Sequence, residues 1–372
     1  MSDVAISLRN VSKSFSQNGG PAAVGDLSLD MNKGETVVLV GPSGCGKTTT
    51  MKMINRLIEP SSGTIEVDGT DILKQDPVEL RRSIGYVIQS IGLLPHRTIR
   101  DNIATVPKLV GWKDEQISKR IDELVAIFEL DTELLRRYPA ELSGGQRQRV
   151  GVARALAVDP PVMLMDEPFG AVDPIVRERL QDQFLRIQEE LKKTIVFVTH
   201  DIDEAIKMAD RIAILNTGGV VEQYAPPEEI LREPANNFVK QFVGVERGLK
   251  RLALTKVAEI EVEEGPVVGS DTSSEEAVRV MDQFAFGWAA VVDEGELKGW
   301  VDASAIARAS KVSDVRPRPF SAYVTGESTL REALDAIVTS RTQVAVVAIE
   351  EQRYKGILTL ERISREIIAD GR

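Results

Sequence analysis

The 372-residue sequence predicts an α/β protein in two parts, a larger domain built on buried parallel strands and a smaller α+β domain behind it. Three observations carry that expectation. The apolar run Val37-Val38-Leu39-Val40 meets Gly41-Pro42-Ser43-Gly44-Cys45-Gly46-Lys47-Thr48 and then Thr49-Thr50-Met51-Lys52-Met53, so a buried strand turns into a helix through a glycine-rich loop. Two more apolar runs, Val162 to Met165 and Thr194 to Thr199, end in Asp166-Glu167 and His200, as strands do when they deliver polar groups to a sheet's carboxyl edge. After residue 244 two similar segments follow each other at a period of about 56 residues.

Taken in order, Ile6-Ser7-Leu8 and Ala22 to Leu29 read as short strands joined through the turn Asn18-Gly19-Gly20-Pro21, which an aromatic, Phe15, precedes. The loop from Gly41 to Thr48 completes the G-x-x-x-x-G-K-[ST] pattern, and its chemistry is that of a polyphosphate cradle. Glycines let backbone N–H groups point inward, and the helix behind adds its positive dipole end. Lys47 is placed to meet the outer phosphates and Thr48 to hold Mg²⁺, most of whose other positions stay with water. Cys45, the single cysteine, allows no internal disulfide, fits a reducing compartment and reads as inert.

Gly63 to Gly69 is a further strand and turn, and Ile84 to Gln89 a strand running into a loop. From about Asp114 to Val158 the chain turns helical. Ile117, Ile121, Leu124, Ile127 and Phe128 share one face, the pattern breaks near Tyr138-Pro139, and Ser143 is placed to cap a new helix. Pro160-Pro161 introduces the strand ending at Asp166-Glu167. Asp166 is placed to bind Mg²⁺ and Glu167 to orient an attacking water. His200, at the end of the next strand, stands on the same edge and begins a helix at Asp201.

The net charge of −11 argues against a general nucleic-acid or anionic-membrane surface. Met1 to Val4 shows no secretion signal, and no stretch approaches the ~18 apolar residues of a membrane span, so a membrane role requires a partner.

Together these motifs resemble the ATP-binding subunit of ABC transporters, over residues 1 to about 244. Gly41 to Thr48 matches Walker A, Gln89 the Q-loop, Leu142-Ser143-Gly144-Gly145-Gln146 the signature, Asp166-Glu167 Walker B, Ala171-Val172-Asp173 the D-loop and His200 the H-loop. The resemblance implies a P-loop domain with a mixed core sheet, an antiparallel β subdomain and a helical subdomain. It implies ATP and Mg²⁺ as cofactors, with Thr48, Gln89 and Asp166 at the metal, Glu167, His200 and Gln89 in catalysis, and Phe15 stacked on adenine. It also implies head-to-tail pairing, each ATP lying between Walker A of one copy and the signature of another. A single cradle and a single signature then require a second copy or a homologous partner.

Ile88 to Ile99, continuing through Asp101-Asn102-Ile103-Ala104 to Gly111-Trp112, is similar to the osmoprotectant importers of that family, which move quaternary amines such as glycine betaine, carnitine or choline. This implies a membrane permease, an extracytoplasmic substrate-binding protein, no nucleic-acid partner, and a peripheral position at the cytoplasmic face of the cell membrane. The alternatives are an ABC importer ATPase for another small solute and a soluble ABC ATPase outside transport. His96 reads as a loop or interface residue.

Gly244-Val245-Glu246-Arg247-Gly248 is read as the junction to a second domain, 245 to 372, with repeats at about 250–312 and 313–372. Glu276 to Val301 parallels Glu332 to Leu358, each as helix, strand, turn, strand, helix. The pair resembles tandem CBS motifs, which can bind adenine nucleotides or cyclic dinucleotides or sense ionic strength. Thr359 follows Gly356-Ile357-Leu358 as in that pattern, whereas Arg362 stands where a ribose-binding Asp is usual and Asp302 replaces the Thr in the first repeat. A ligand sensor and a structural, dimerising repeat both remain open. Glu259, Glu261, Glu263 and Glu264 read as a solvated linker face, and Trp288 and Trp300 as core.

Overall fold

A computed structural model describes residues 3–16, 21–89, 92–170, 172–244, 246–320, 323–349 and 353–368. The turn read at Asn18 to Gly20, together with Ser90, Ile91, Ala171 and Val245, lies outside the described residues. The chain divides into two compact units, Met1–Val243 and Gly244–Arg372.

In the first unit a six-stranded sheet runs in the order Val220–Ala225, Arg211–Asn216, Thr36–Val40, Thr194–Val198, Val162–Asp166, Ile84–Val87. All neighbours are parallel except the antiparallel pair Arg211–Asn216 and Val220–Ala225. The three strands Thr36–Val40, Val162–Asp166 and Thr194–Val198 are buried at every residue, which is why they read as continuous apolar runs. Register fixes the site: Asp166 pairs with Val198 and Leu39 also pairs with Val198, so the loops after all three strands open on one edge.

A four-stranded antiparallel sheet, ordered Val24–Asn32, Val4–Lys13, Ser62–Val67, Thr70–Asp71, packs its inner side chains into the same core. Its first strand is longer than the three residues expected. Breaks in register between Leu8 and Val11, with Asn10 at φ 48°, interrupt the alternation on which the shorter reading rested. Between the sheets' strands lies the helical part, including Asp114–Ile127 and Gly144–Ala155. On Asp114–Ile127 the buried face is Ile117, Ile121, Leu124 and Val125, with Ile127 only half-buried, a correction of the predicted stripe.

The second unit holds one six-stranded sheet, ordered Val267–Val268, Trp288–Asp293, Glu296–Asp302, Arg353–Thr359, Val344–Ile349, Tyr323–Val324. The two repeats contribute matching halves, each a two-residue strand, a helix, a hairpin and a closing helix. Each half buries its own cluster, and Trp288, Leu297, Phe320, Val346 and Ile357 form a third cluster shared between them.

Two expectations change here. In the acidic tract Glu259, Glu261 and Glu264 are exposed as expected, but Glu263 is not, because it exchanges backbone bonds with Ile357 at 3.0 and 2.9 Å and its Oε2 accepts from Thr359 Oγ1 at 2.6 Å. Trp288 is buried, whereas Trp300 is half-buried under the Arg318 guanidinium, 5.2 Å from the ring centre.

Candidate functional site

The cradle is made by backbone that only glycine fits. Gly41 has φ 155°, and a Cβ there would stand 2.1 Å from the Leu215 carbonyl oxygen on the neighbouring strand; at Gly46, φ 106°, it would stand 2.7 Å from that of Ala23. The loop leads directly into the helix Lys47–Ile54. Lys47 is buried, and its Nζ donates to the carbonyls of Gly41 at 2.7 Å and Pro42 at 3.0 Å. Cys45 is fully buried, Pro42 and Thr49 are half-buried, and Ser43 and Gly44 are exposed at the rim.

The acidic residues arrive from the next strands. Thr48 Oγ1 donates to Asp166 Oδ1 at 3.0 Å, joining cradle to strand. Burial pushes the Asp166 carboxyl above its ordinary range, with the charge of Glu167 adding to the effect and the Thr48 bond opposing it. A divalent cation would compensate such a carboxylate. Among the described residues no group of three or more His, Cys, Asp or Glu side chains could hold a metal alone, and few protein ligands shared with phosphates is how Mg²⁺ is usually bound. The residues therefore fit the ion.

Glu167, the residue after the strand, sits at φ 45°. There its carboxylate takes two partners from two other loops: Oε2 accepts from Gln89 Nε2 at 2.9 Å, and Oε1 lies 3.2 Å from His200 Nδ1. His200 is 63% exposed through its side chain and Glu167 23%, so the pair faces outward. Nearby Tyr86 is pushed up to about 12, first by burial and then by the Asp166 charge.

The signature residues form a separate group. Ser143 caps the helix Gly144–Ala155: its Oγ accepts from the Gln146 N–H at 3.2 Å, and Gln146 Oε1 accepts from the Ser143 N–H at 2.9 Å. Leu142 is buried, a Cβ on Gly144 would meet nothing within 4 Å, and one on Gly145 would press on Val176 at 2.9 Å. Among the described residues no hydrogen bond joins this group to the cradle. Asp173 caps the helix Pro174–Leu191 through Val176 N–H at 3.1 Å. Phe15 is 66% exposed with Lys13 Nζ 5.3 Å from its ring centre, so it is no core aromatic.

Two residues were not foreseen from sequence. Arg154, on the signature helix, donates Nη1 to the Gly92 carbonyl at 2.6 Å, just beyond the Gln89 loop. Glu204 is buried behind His200. Its four-residue spacing to the buried Met208 is the signal that places it on the inner face of its helix.

A fold of this kind, with cradle, carboxylates and histidine on one sheet edge, defines a P-loop nucleotide-binding cassette. The family model described as ABC transporter matches residues 24–170, and that described as CBS domain matches 257–311 and 312–369. The chain belongs to the ATP-binding proteins of ABC transporters and carries a CBS pair after the cassette. It is 49% identical over 360 residues to the glycine betaine/carnitine/choline transport ATP-binding protein OpuCA of Bacillus subtilis, covering 95% of this chain and 94% of that one. To the carnitine transport ATP-binding protein OpuCA of Listeria monocytogenes it is 48% identical over 361 residues, covering 95% and 90%. To the osmoprotectant import ATP-binding protein OsmV of Salmonella typhimurium it is 46% identical over 371 residues, covering 98% and 95%. Among solved structures, the dimeric bacterial ABC transporter cassette MJ0796 matches with a TM-score of 0.54 and 35% identity, over 60% of this chain and 98% of that one.

Proposed function

We propose that the chain is the ATP-hydrolysing subunit of an importer for quaternary amine osmoprotectants, acting as a pair of copies on a separate membrane permease supplied by an extracytoplasmic binding protein. The observation that carries the chemistry is the Glu167 carboxylate held between Gln89 and His200, beside the Thr48–Asp166 pair. The substrate class is supported by relatives 46–49% identical over nearly the whole chain whose names specify carnitine, glycine betaine, choline or osmoprotectants. No helix among the described residues is long and apolar enough to cross a membrane; the proposal gives solute passage to the permease and places this chain at its cytoplasmic face, a reading supported by the transport names of the relatives.

In this reading Gly41 to Thr49 bind the triphosphate of ATP through backbone N–H groups, Lys47 exchanges its loop carbonyls for phosphate oxygens, and Phe15 offers a ring to adenine. Thr48, Gln89 and Asp166 hold Mg²⁺, which when bound neutralises charge on the transferring phosphoryl group. Glu167 accepts the proton of the attacking water, and His200 and Gln89 keep its carboxylate aimed. Leu142 to Gln146 serve the nucleotide of the second copy: the Ser143 oxygen accepts within its own helix but its hydroxyl hydrogen is still available to a phosphate. That a similar cassette has been solved as a dimer supports that pairing, and Asp173 is assigned to the D-loop by the family resemblance.

The domain assignment is 1–244 for nucleotide binding and 245–372 for regulation. In the second domain Thr359 is engaged by Glu263, Arg362 donates Nε to the Glu261 carbonyl at 3.1 Å and pairs with Glu366 at 2.5 Å, and Asp302 is bonded by Ser304, the Ala305 N–H and Arg318. These internal bonds favour a tail that works through packing, with a nucleotide or cyclic dinucleotide as the alternative that calorimetry would detect.

Reconstitution with the permease and binding protein tests the assignment. ATP-dependent uptake of glycine betaine, carnitine or choline into vesicles is expected. Hydrolysis stimulated by other solutes and by none of these amines would refute the substrate class.

A further inference from the structure

Beneath the site, two helices meet on one buried carboxylate. Glu204 lies in the first turn of the helix Ile202–Met208 and is 8% exposed. Its Oε1 accepts from Nε2 of Gln181 at 3.0 Å, a residue equally buried on the helix that Asp173 caps. Thr199, the residue before His200, is buried and its hydroxyl oxygen accepts the Asp201 N–H at 3.1 Å, while Asp201 Oδ1 caps the helix by accepting from the Glu204 N–H at 3.4 Å. Arg177, one turn before Gln181, contributes favourable charge to Glu204 and donates Nη2 to the Val172 carbonyl at 3.0 Å. Lys207 Nζ and Asp182 Oδ1, 2.6 Å apart, tie the same two helices again.

Burying a carboxylate is unfavourable unless it is paired and fully bonded, and an apolar pair would fill this seam without that penalty. What the carboxylate supplies is direction. Glu204 stands in the first turn after His200 and Asp201, and its carboxylate bonds to the helix that begins after Asp173.

We propose that Glu204 is a positioning residue: by bonding Gln181 it fixes its own helix, and the His200 turn that leads into it, against the Asp173-capped helix, and so sets the contact between His200 Nδ1 and Glu167 Oε1. The inference rests on the reading of the site as one of ATP hydrolysis. A rearrangement at the Asp173 end then reaches His200 through Gln181 and Glu204, a coupling that a double-mutant cycle can measure.

The test is single-turnover and steady-state hydrolysis of Mg-ATP by the full-length protein. Glu204→Leu is expected to lower kcat about 10- to 100-fold while the ATP KM changes less than ~2-fold, because positioning is lost and binding is not. Glu204→Gln keeps an acceptor for Gln181 and stays within ~3-fold of the unaltered protein. Gln181→Met leaves Glu204 in place, removes its hydrogen-bond donor and lowers kcat in the same way, so the test survives if Glu204→Leu does not fold. In a His200→Ala background Glu204→Leu costs less than ~2-fold more, since its route ends at His200. Equal losses with and without His200, or undiminished kcat in both Glu204→Leu and Gln181→Met, would overturn the proposal. Glu167→Gln tests the underlying reading separately: hydrolysis that survives it sinks that reading whatever Glu204 does.

Discussion

Glu167 holds a left-handed backbone conformation, φ 45°, that costs a residue with a Cβ roughly 1 kcal/mol. The return is aim, since the first residue beyond a buried strand thereby reaches both Gln89 and His200. The same scale explains what spacing revealed and what it did not. Lys47, Thr48, Asp166 and Glu167 were legible because phosphate and metal chemistry demands those residue types beside buried strands. Glu204 was not, because its partner Gln181 comes from a helix distant in sequence and leaves no local pattern. Its carboxyl is raised above the ordinary 4.5, chiefly by burial. The folded state therefore binds its proton more tightly than the unfolded chain, and stability is lost as pH rises from about 4.5 through the folded value. Glutamine does not titrate, so urea unfolding should show the stability of Glu204→Gln relative to the unaltered protein increasing from pH 4.5 to pH 8. A difference that shrinks over that window would contradict the assignment.

Elements were legible in proportion to how far burial writes itself into the chain. The strands Thr36–Val40, Val162–Asp166 and Thr194–Val198 are buried on both faces and read as unbroken apolar runs. Val4–Lys13 was recovered in part, because its bulge resets the alternation. Val267–Val268 and Tyr323–Val324, two residues each, are too short to show any period, and the docking of Glu263 on Ile357 is a backbone pairing that an acidic composition conceals. The loop between strand and helix is the least tolerant element. Gly41→Ala would drive a methyl group onto the Leu215 carbonyl, and the expected result is destabilisation by about 2 kcal/mol or more with loss of ATP binding. Thermal unfolding and fluorescent-nucleotide titration check both; an alanine variant that binds ATP normally would show that the cradle is not the site.

At the scale of the whole molecule, the 56-residue repeat and the change of character after residue 244 were visible in sequence because each repeat must present similar apolar faces to bury. Pairing between copies entered only through the family resemblance, from one cradle and one signature in the chain, and it stays a proposal, in keeping with the cradle and Ser143 to Gln146 sharing no hydrogen bond among the described residues. In the proposed function a second copy supplies that contact. The most direct measurement is the mass in solution of the Glu167→Gln protein, by sedimentation or light scattering, with and without Mg-ATP. The account predicts monomers that become dimers only with nucleotide, and dimers lost again when Ser143 is also changed to Arg. A mass indifferent to Mg-ATP, with and without the permease, would contradict it.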